Sequence, residues 1–252
     1  MQKSDLKLLG LIGNPVSHSR SPEIFQRFFN QENKTVWVYQ LFHLSKITDL
    51  ENLLLQHPNL IGFNVTVPFK ESIIPLLNSI GEGAEKVKAV NTVLITREGN
   101  KTKLHGENTD ILGFENLIDK LTVPLNCKCL ILGSGGSSKA VQYVLHKKNI
   151  PFQIVSRKNS SISYNDLNAE IINNHKIIIN TTPLGMTPHR NEFPQIPYEF
   201  IGQNHICIDL IYNPEKTLFL ELAEKKGAFI QNGLPMLQAQ AEKAWELFKL
   251  NI

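Results

Sequence analysis

Cysteine is scarce in this chain, and charge is nowhere concentrated. The three cysteines, Cys127, Cys129 and Cys207, form neither an even disulfide set nor a CxxC pair, which argues against a disulfide framework and against the usual zinc and thiol-redox motifs. No metal is expected. Cys127 and Cys129 stand two apart at the start of a strand and so share one face of it, as buried reduced thiols. The 26 lysines and arginines are scattered and the formal net charge is only +3, so no basic stripe marks a nucleic-acid partner. No apolar run approaches a membrane-spanning length, which excludes a membrane protein of that kind. The run Leu8 to Ile12 is too short for a signal peptide and is followed by Asn14-Pro15, with no small-residue cleavage site. Internal repeats and low-complexity tracts are missing as well. A cytoplasmic protein is expected.

What is present is globular. Over 252 residues, hydrophobic residues make up 42% and charged ones 19%, enough to bury the core of one large domain or two ordinary ones. Strand-like and helix-like runs alternate almost throughout, which predicts an α/β fold with a parallel sheet. "LKLLGLIG" reads as a strand, and Ser21-Pro22-Glu23 opens a helix with Ser21 as its cap. "TVWVYQLF" and "LIGFNVTV" are further strands, with the helix "SKITDLENLLLQH" between them. Asn91 to Thr96 and Lys101 to His105 read as a hairpin around Glu98-Gly99-Asn100. After a boundary near residue 107, a helix over 109–121 leads into the strand, glycine turn and helix of "CKCLILGSGGSSKAVQYVLHKK". "PFQIVSRK", "HKIIINTT" and "HICIDLIY" are strands. The last stretch is an amphipathic helix with Leu237, Ala241, Ala244, Trp245 and Phe248 along one side. The expected domains are 1–107 and 108–233, with 234–252 packing back on the first.

Gly133, Gly135 and Gly136 lie directly between a hydrophobic strand and a helix. Such a turn lets the backbone approach a pyrophosphate at a helix N-terminus. Ser138 stands where a GxGxxG pattern has its third glycine, so a plain tight turn or a methyltransferase-like loop fits equally well. The following strand ends in Arg157-Lys158 instead of the acidic residue that an NAD ribose would want. Two cations there suit the 2′-phosphate of NADP, or else a solvated basic loop.

Four polar clusters fall at strand ends: Ser17 to Ser21, Asn64-Val65-Thr66 with Lys70, Asn91-Thr92, and Asn108-Thr109-Asp110. Each has an ordinary reading as helix cap, turn or surface residue. Together they offer hydroxyls, amides, a cation and a carboxylate, a set that suits a small polyhydroxylated anion with Lys70 and Asp110 as an acid–base pair. A lysine needs a dry setting or a bonded partner to exchange protons near neutrality. The strand running into Pro68, with Asn64 and Thr66 inside it, reads either as the end of an ordinary strand or as the wall of such a site. Pro68 would start a helix that aims Lys70 back at it.

The motifs "GNPVSHSRSP", "GFNVTVPFK", "AVNTV", "GENTDILGF", "GSGGSSKA", "NTTPLGM", "DLIYNPEKTLFL" and "NGLPMLQAQA" resemble, in order, those of the shikimate dehydrogenase family. The resemblance implies an α/β substrate domain and a Rossmann-like dinucleotide-binding domain with a cleft between them. It implies NADP as cofactor and reversible reduction of 3-dehydroshikimate to shikimate, a step toward chorismate and the aromatic amino acids. Lys70 and Asp110 would be the catalytic pair. Ser19, Ser21, Thr66, Asn91, Gln240 and Tyr212 would hold substrate. Gly133, Ser134, Gly135, Gly136, Ser137, Thr181, Thr182, Gly185 and Met186 would line the cofactor, with Ser156, Arg157 and Lys158 near its adenosine phosphate. Tyr212 and Gly233 would lie near the nicotinamide. A monomer or a homodimer is expected.

The chain departs from the family pattern in places. Phe25-Gln26 replaces a common His-Asn or His-Gln, Ser156-Arg157-Lys158 replaces Asn-Arg-Thr, and Ser134 and Lys139 replace Ala and Arg in the glycine motif. Two other readings stay open here: a quinate/shikimate dehydrogenase that also uses NAD, and a non-catalytic sensor of NADP or a shikimate-like acid on the same fold.

Overall fold

The structure, a computed structural model, describes residues 6–99, 101–123, 126–157 and 162–251. Asn100 of the expected hairpin turn and Lys158 of the expected phosphate loop lie outside the described residues. The chain divides into two compact units, Met1–Asp110 with Gln238–Ile252, and Ile111–Leu237.

The first unit begins with β1 (Lys7–Gly13), α1 (Ser21–Gln31), β2 (Trp37–His43), α2 (Leu50–Gln56) and β3 (Leu60–Val65). It continues with β4 (Ser79–Ile80), α3 (Glu82–Val87), β5 (Thr92–Glu98) and β6 (Lys101–Glu107). The strands form one sheet in the order β2-β1-β3-β5-β6-β4. β1 runs parallel to β2 and β3, but β5 is antiparallel to β3 and β6. The sheet is therefore mixed: β5 and β6 form the expected hairpin, and the antiparallel β3–β5 pair is the departure from the parallel sheet that the alternation predicts. A loop as short as the one joining β5 to β6 can connect only antiparallel neighbours.

Side chains alternate across this sheet. Leu8, Ile12, Phe63, Val65, Val93 and Ile95 enter one core together with Leu50 and Leu53 of α2. The opposite face carries one row of Tyr39, Leu9 and Gly62 and, two residues on, a row of Leu11, Asn64 and Thr92. Aromatic rings from α1 and from α8 (Leu234–Leu250) cover it. Phe25 stacks on Tyr39 at 4.3 Å, and Trp245 meets Trp37 edge-on at 4.8 Å. Phe248 occupies the space that a Cβ on Gly62 would need.

Two local expectations are corrected. Ser21 is the first residue of α1 and not its cap; Arg20 holds the cap position, where its side chain bonds Glu23 and caps no backbone N–H. No α-helix follows Pro68: the chain makes turns and a short 3-10 helix over Ile74–Leu76. Pro75, in the middle of the would-be helix, removes a donor and crowds the preceding turn.

The second unit holds α4 (Asp110–Asp119, its first residue belonging to the first unit), β7 (Cys129–Leu132), α5 (Gly136–Lys147), β8 (Phe152–Val155) and α6 (Ala169–Asn174). β9 (Ile177–Asn180), β10 (Ile206–Asp209), α7 (Leu218–Lys225) and β11 (Phe229–Gln231) follow. All five strands are parallel, in the order β11-β10-β9-β7-β8. The strands CLIL and IIIN are buried along their whole length, as strands covered on both faces must be. Phe114 and Leu117 of α4 with Val141 and Val144 of α5 cover one face. Ile172 of α6 with Phe219 and Leu220 of α7 cover the other. This is a doubly wound, Rossmann-like sheet whose strand order reverses between β7 and β9, the place where such sheets bind ligands beyond their carboxyl ends. No described helix is long and apolar enough to cross a membrane.

Candidate active site

Lys70 is placed by its neighbours in the turn after β3. The Phe69 N–H donates to the Thr66 carbonyl (2.9 Å), and the Val90 N–H donates to the Lys70 carbonyl (2.7 Å). Phe69 and Ile73 are buried on either side of it, anchoring the turn in the core. Lys70 Nζ then donates to Asp110 Oδ2 at 2.6 Å, with side chains only 12% and 7% exposed. Asp110 opens α4, where the positive end of the helix dipole favours a carboxylate. Shielded from water, the two charges interact more strongly than a surface pair would.

Around this pair lies a buried network drawn from distant parts of the first unit. The Asn91 amide shares its two N–H groups among three acceptors, Asp110 Oδ1 (2.9 Å), Thr109 Oγ1 (3.0 Å) and Gln240 Oε1 (3.2 Å). Its carbonyl oxygen accepts from the Thr109 N–H (2.7 Å) and the Thr92 hydroxyl (3.2 Å). The Thr109 hydroxyl also reaches Gln240 Oε1 at 3.2 Å. Asn64 donates to Thr92 Oγ1 (3.0 Å) and accepts from the Tyr39 hydroxyl (2.9 Å). Thr66, half-buried just past β3, ties its N–H to the Ile12 carbonyl (2.9 Å). At the start of α1 the Ser19 hydroxyl donates to Ser21 Oγ (3.1 Å) and accepts from the Ser21 N–H (3.2 Å).

The second unit gathers the other expected residues at the carboxyl ends of its strands. Gly133 follows β7 with φ +107, a conformation that favours glycine, and a Cβ there would press on the Thr181 hydroxyl. Gly135 caps α5 with open space where its Cβ would be, and Gly136 and Ser137 are the first residues of that helix. The positive end of the dipole at this helix start suits a phosphate. Ser138, in place of the third glycine, is fully buried yet satisfied: its hydroxyl donates to the Gly133 carbonyl (2.8 Å) and accepts from Gln142 (3.0 Å). Beyond β8, Ser156 is buried and Arg157 exposed. Burial raises the pKa of nearby Tyr164, and the charge of Arg157 works against that rise.

Beyond β9 and β10 a second network holds the loops. The Thr181 hydroxyl donates to the Leu132 carbonyl (2.8 Å), and both the N–H and hydroxyl of Thr182 donate to Asn180 Oδ1 (3.0 and 2.7 Å). Asn180 in turn donates to Asp209 Oδ1 (3.1 Å), which also accepts from the Ile211 N–H (3.0 Å). The Thr217 hydroxyl donates to Asp209 Oδ2 at 2.6 Å. Asp209 is wholly buried, and desolvation pushes its pKa up to about 7 against the pull of these donors. Gly185, at φ +108, passes close to Thr217, with half-buried Met186 after it. Tyr212 is half-buried just beyond β10, and a side chain on Gly233 would strike the Leu210 carbonyl. Among the described residues no histidine, cysteine and carboxylate cluster could hold a metal ion.

Lys70, Asp110, Asn91 and Gln240 thus stand in one bonded network, whereas Ser19 and Ser21 bond to each other and Tyr212 belongs to the second unit. Sequence reasoning assigned no role to Tyr39, Asp209 or Thr217. The signals were Tyr39 and Asp209 as polar residues inside the otherwise apolar strand ends "VWVYQ" and "CIDL", and the motif "DLIYNPEKTLFL", which holds both Asp209 and Thr217.

A family model described as the shikimate dehydrogenase substrate binding domain matches residues 11–93. A shikimate dehydrogenase (NADP(+)) of Methanococcus maripaludis is 37% identical over 98% of this chain and 93% of its own length. Among solved structures, shikimate dehydrogenase 1 of Peptoclostridium difficile superposes with a TM-score of 0.83 at 35% identity, covering 97% of this chain and 92% of that one. A shikimate 5-dehydrogenase of Thermus thermophilus in complex with NADP(H) and shikimate gives 0.80 at 27% identity, over 96% and 93% of the two chains. With likeness of this degree along nearly its full length, the chain belongs to the shikimate dehydrogenase family.

Proposed function

We propose that this protein is an NADP-dependent shikimate dehydrogenase that interconverts 3-dehydroshikimate and shikimate. The observation that carries the reading is the shielded Lys70–Asp110 pair at 2.6 Å, joined through Asn91 to Gln240. The first unit is the substrate-binding and catalytic part, and the second binds NADP. The left-handed Gly133, the open space at Gly135 and the start of α5 fit a pyrophosphate. Arg157, basic where an NAD site carries an acid, favours the extra phosphate and argues against NAD use.

Bound NADP supplies the hydride chemistry. In the reducing direction the carbonyl carbon gains the hydride, the C=O electron pair moves to oxygen, and Lys70 Nζ gives that oxygen a proton. In the reverse direction Lys70 takes the hydroxyl proton. Asp110 orients Lys70 and balances its charge. Asn91, Gln240, Thr66, Ser19, Ser21 and Tyr212 hold the substrate's hydroxyls and carboxylate, and Gly133 to Ser137, Thr181, Thr182, Gly185, Met186 and Gly233 line the cofactor. Lys70, Asp110, Asn91 and Gln240 come from one chain, so the chemistry needs only one copy, whether the protein is a monomer or a homodimer. The free buried thiols Cys127, Cys129 and Cys207 suit a cytoplasmic enzyme.

The test is nicotinamide reduction by purified protein given shikimate or quinate with NADP or NAD. Rapid reduction of NADP by shikimate is expected. Folded protein that reduces neither cofactor with either acid would overturn the reading.

A further inference from the structure

Hydrogen-bond direction around Lys70 can be deduced from one charge. Asp110, ion-paired with Lys70, can only accept, so the Asn91 group facing its Oδ1 at 2.9 Å is the amide nitrogen. The Asn91 oxygen therefore faces the other way, toward the Thr109 N–H and the Thr92 hydroxyl. The Thr92 hydroxyl has one proton and two acceptors in reach, Asn91 Oδ1 at 3.2 Å and Thr109 Oγ1 at 3.3 Å, and whichever it serves, it accepts the Asn64 amide N–H at 3.0 Å. The second amide proton of Asn64 goes to the Asn91 carbonyl at 3.3 Å. Asn64 Oδ1 must then be the atom facing Tyr39, and the phenol must donate, at 2.9 Å. With Thr92 donating to the nearer Asn91 oxygen, the donations run in one sense from Tyr39 through Asn64, Thr92 and Asn91 to Asp110, and the Asn64 orientation is fixed in either case by the Asn91 backbone carbonyl.

Tyr39 is suited to that end of the chain of bonds. It lies on β2 and Asn64 on β3, with β1 between them. Two strand spacings make roughly 10 Å, and the register sets Tyr39 two residues off the row of Asn64, a diagonal gap for a long, stiff side chain. Phe25 stacks on its ring at 4.3 Å with planes 20° apart, which limits the ring's swing. Phe25 is one of the residues that depart from the family pattern, and here it is the support under the phenol.

We propose that Tyr39 is a positioning residue of the substrate site, its hydroxyl locking the Asn64 amide so that Asn64 meets a substrate hydroxyl as an acceptor. This rests on the shikimate reading above. Both amide protons of Asn64 are committed within the protein, so the free lone pair of Oδ1 is what remains for a ligand.

The experiment compares wild type, Tyr39→Phe and Phe25→Leu for initial rates against shikimate and against NADP, with shikimate binding by calorimetry and thermal melting alongside. Loss of one hydroxyl should raise the shikimate KM and Kd about fivefold to tenfold, the scale of a single buried hydrogen bond. The NADP KM should stay within about twofold, since the change lies in the other unit. Phe25→Leu should shift the same two quantities by less. An unchanged shikimate KM and Kd in Tyr39→Phe would overturn the proposal. So would a parallel rise of both KM values with a lowered melting temperature, the mark of a merely structural residue. If wild type neither turns over nor binds shikimate, the functional reading fails and this proposal with it. If wild type binds shikimate without turnover, the Kd comparison still decides the role of Tyr39.

Discussion

Lys70 and Asp110 are 40 positions apart in the chain and 2.6 Å apart at their tips. Each justifies the other's burial: a lone ammonium or carboxylate so shielded would be costly. Lys70→Ala should therefore lower turnover by roughly 10²–10⁴-fold, the usual worth of a positioned proton donor, while shikimate still binds in calorimetry. Unchanged turnover would remove Lys70 from the acid–base role. The same variant leaves Asp110 without its counter-charge, and a lowered melting temperature should accompany the lost activity. Arg157 is exposed, so its replacement tests recognition with little effect on the fold. Arg157→Ala should raise the KM for NADP at least tenfold, about the loss of one charge-assisted hydrogen bond, and leave that for NAD nearly unchanged. Equal losses on both cofactors would refute contact with the 2′-phosphate.

At the scale of the element, the turn after β7 is held from several sides. Gly133 needs its positive φ, and the Thr181 hydroxyl, bonded to the Leu132 carbonyl, fills the space beside it. Gly133→Ala should cost on the order of 1–3 kcal/mol in stability from backbone strain, read by denaturant unfolding, and weaken NADP binding more than shikimate binding. The turn, its strand and its helix were legible in the sequence because a long apolar run, three glycines and an amphipathic stretch all point the same way. The amphipathic helix α8 was legible for the same reason: Ala241, Ala244, Trp245 and Phe248 are all buried. β4, α3 and α6 are only 2, 6 and 6 residues long, too short for a period to show. The turn at Lys70 resembled a helix start until Pro75 is weighed. The site was legible residue by residue, as polar side chains at strand ends, but not as a network. Asn91 meets Gln240 across 149 positions, and nothing in local patterning announces such a partner.

For the molecule as a whole, stability should depend on pH through Asp209. Its folded pKa is raised from the ordinary 3.8 to about 7, chiefly by desolvation. Between about pH 4 and pH 7 the unfolded chain has therefore released a proton that the folded chain keeps. Stability from this group is complete below the lower value and is lost as pH rises, by up to about 1.4 kcal/mol per unit. Asp209→Asn, compared with wild type by circular dichroism in guanidinium at about pH 5 and pH 8, should flatten that slope; an identical slope in both would show that Asp209 does not set it. The aromatic cluster under α8 has an optical consequence. Both tryptophans of the chain, Trp37 and Trp245, lie in it, in van der Waals reach of each other and within the first unit. Indole emission therefore reports on that unit alone, while dichroism reports on both. Divergence between the two signals during denaturation would measure how far the two halves of the molecule melt independently.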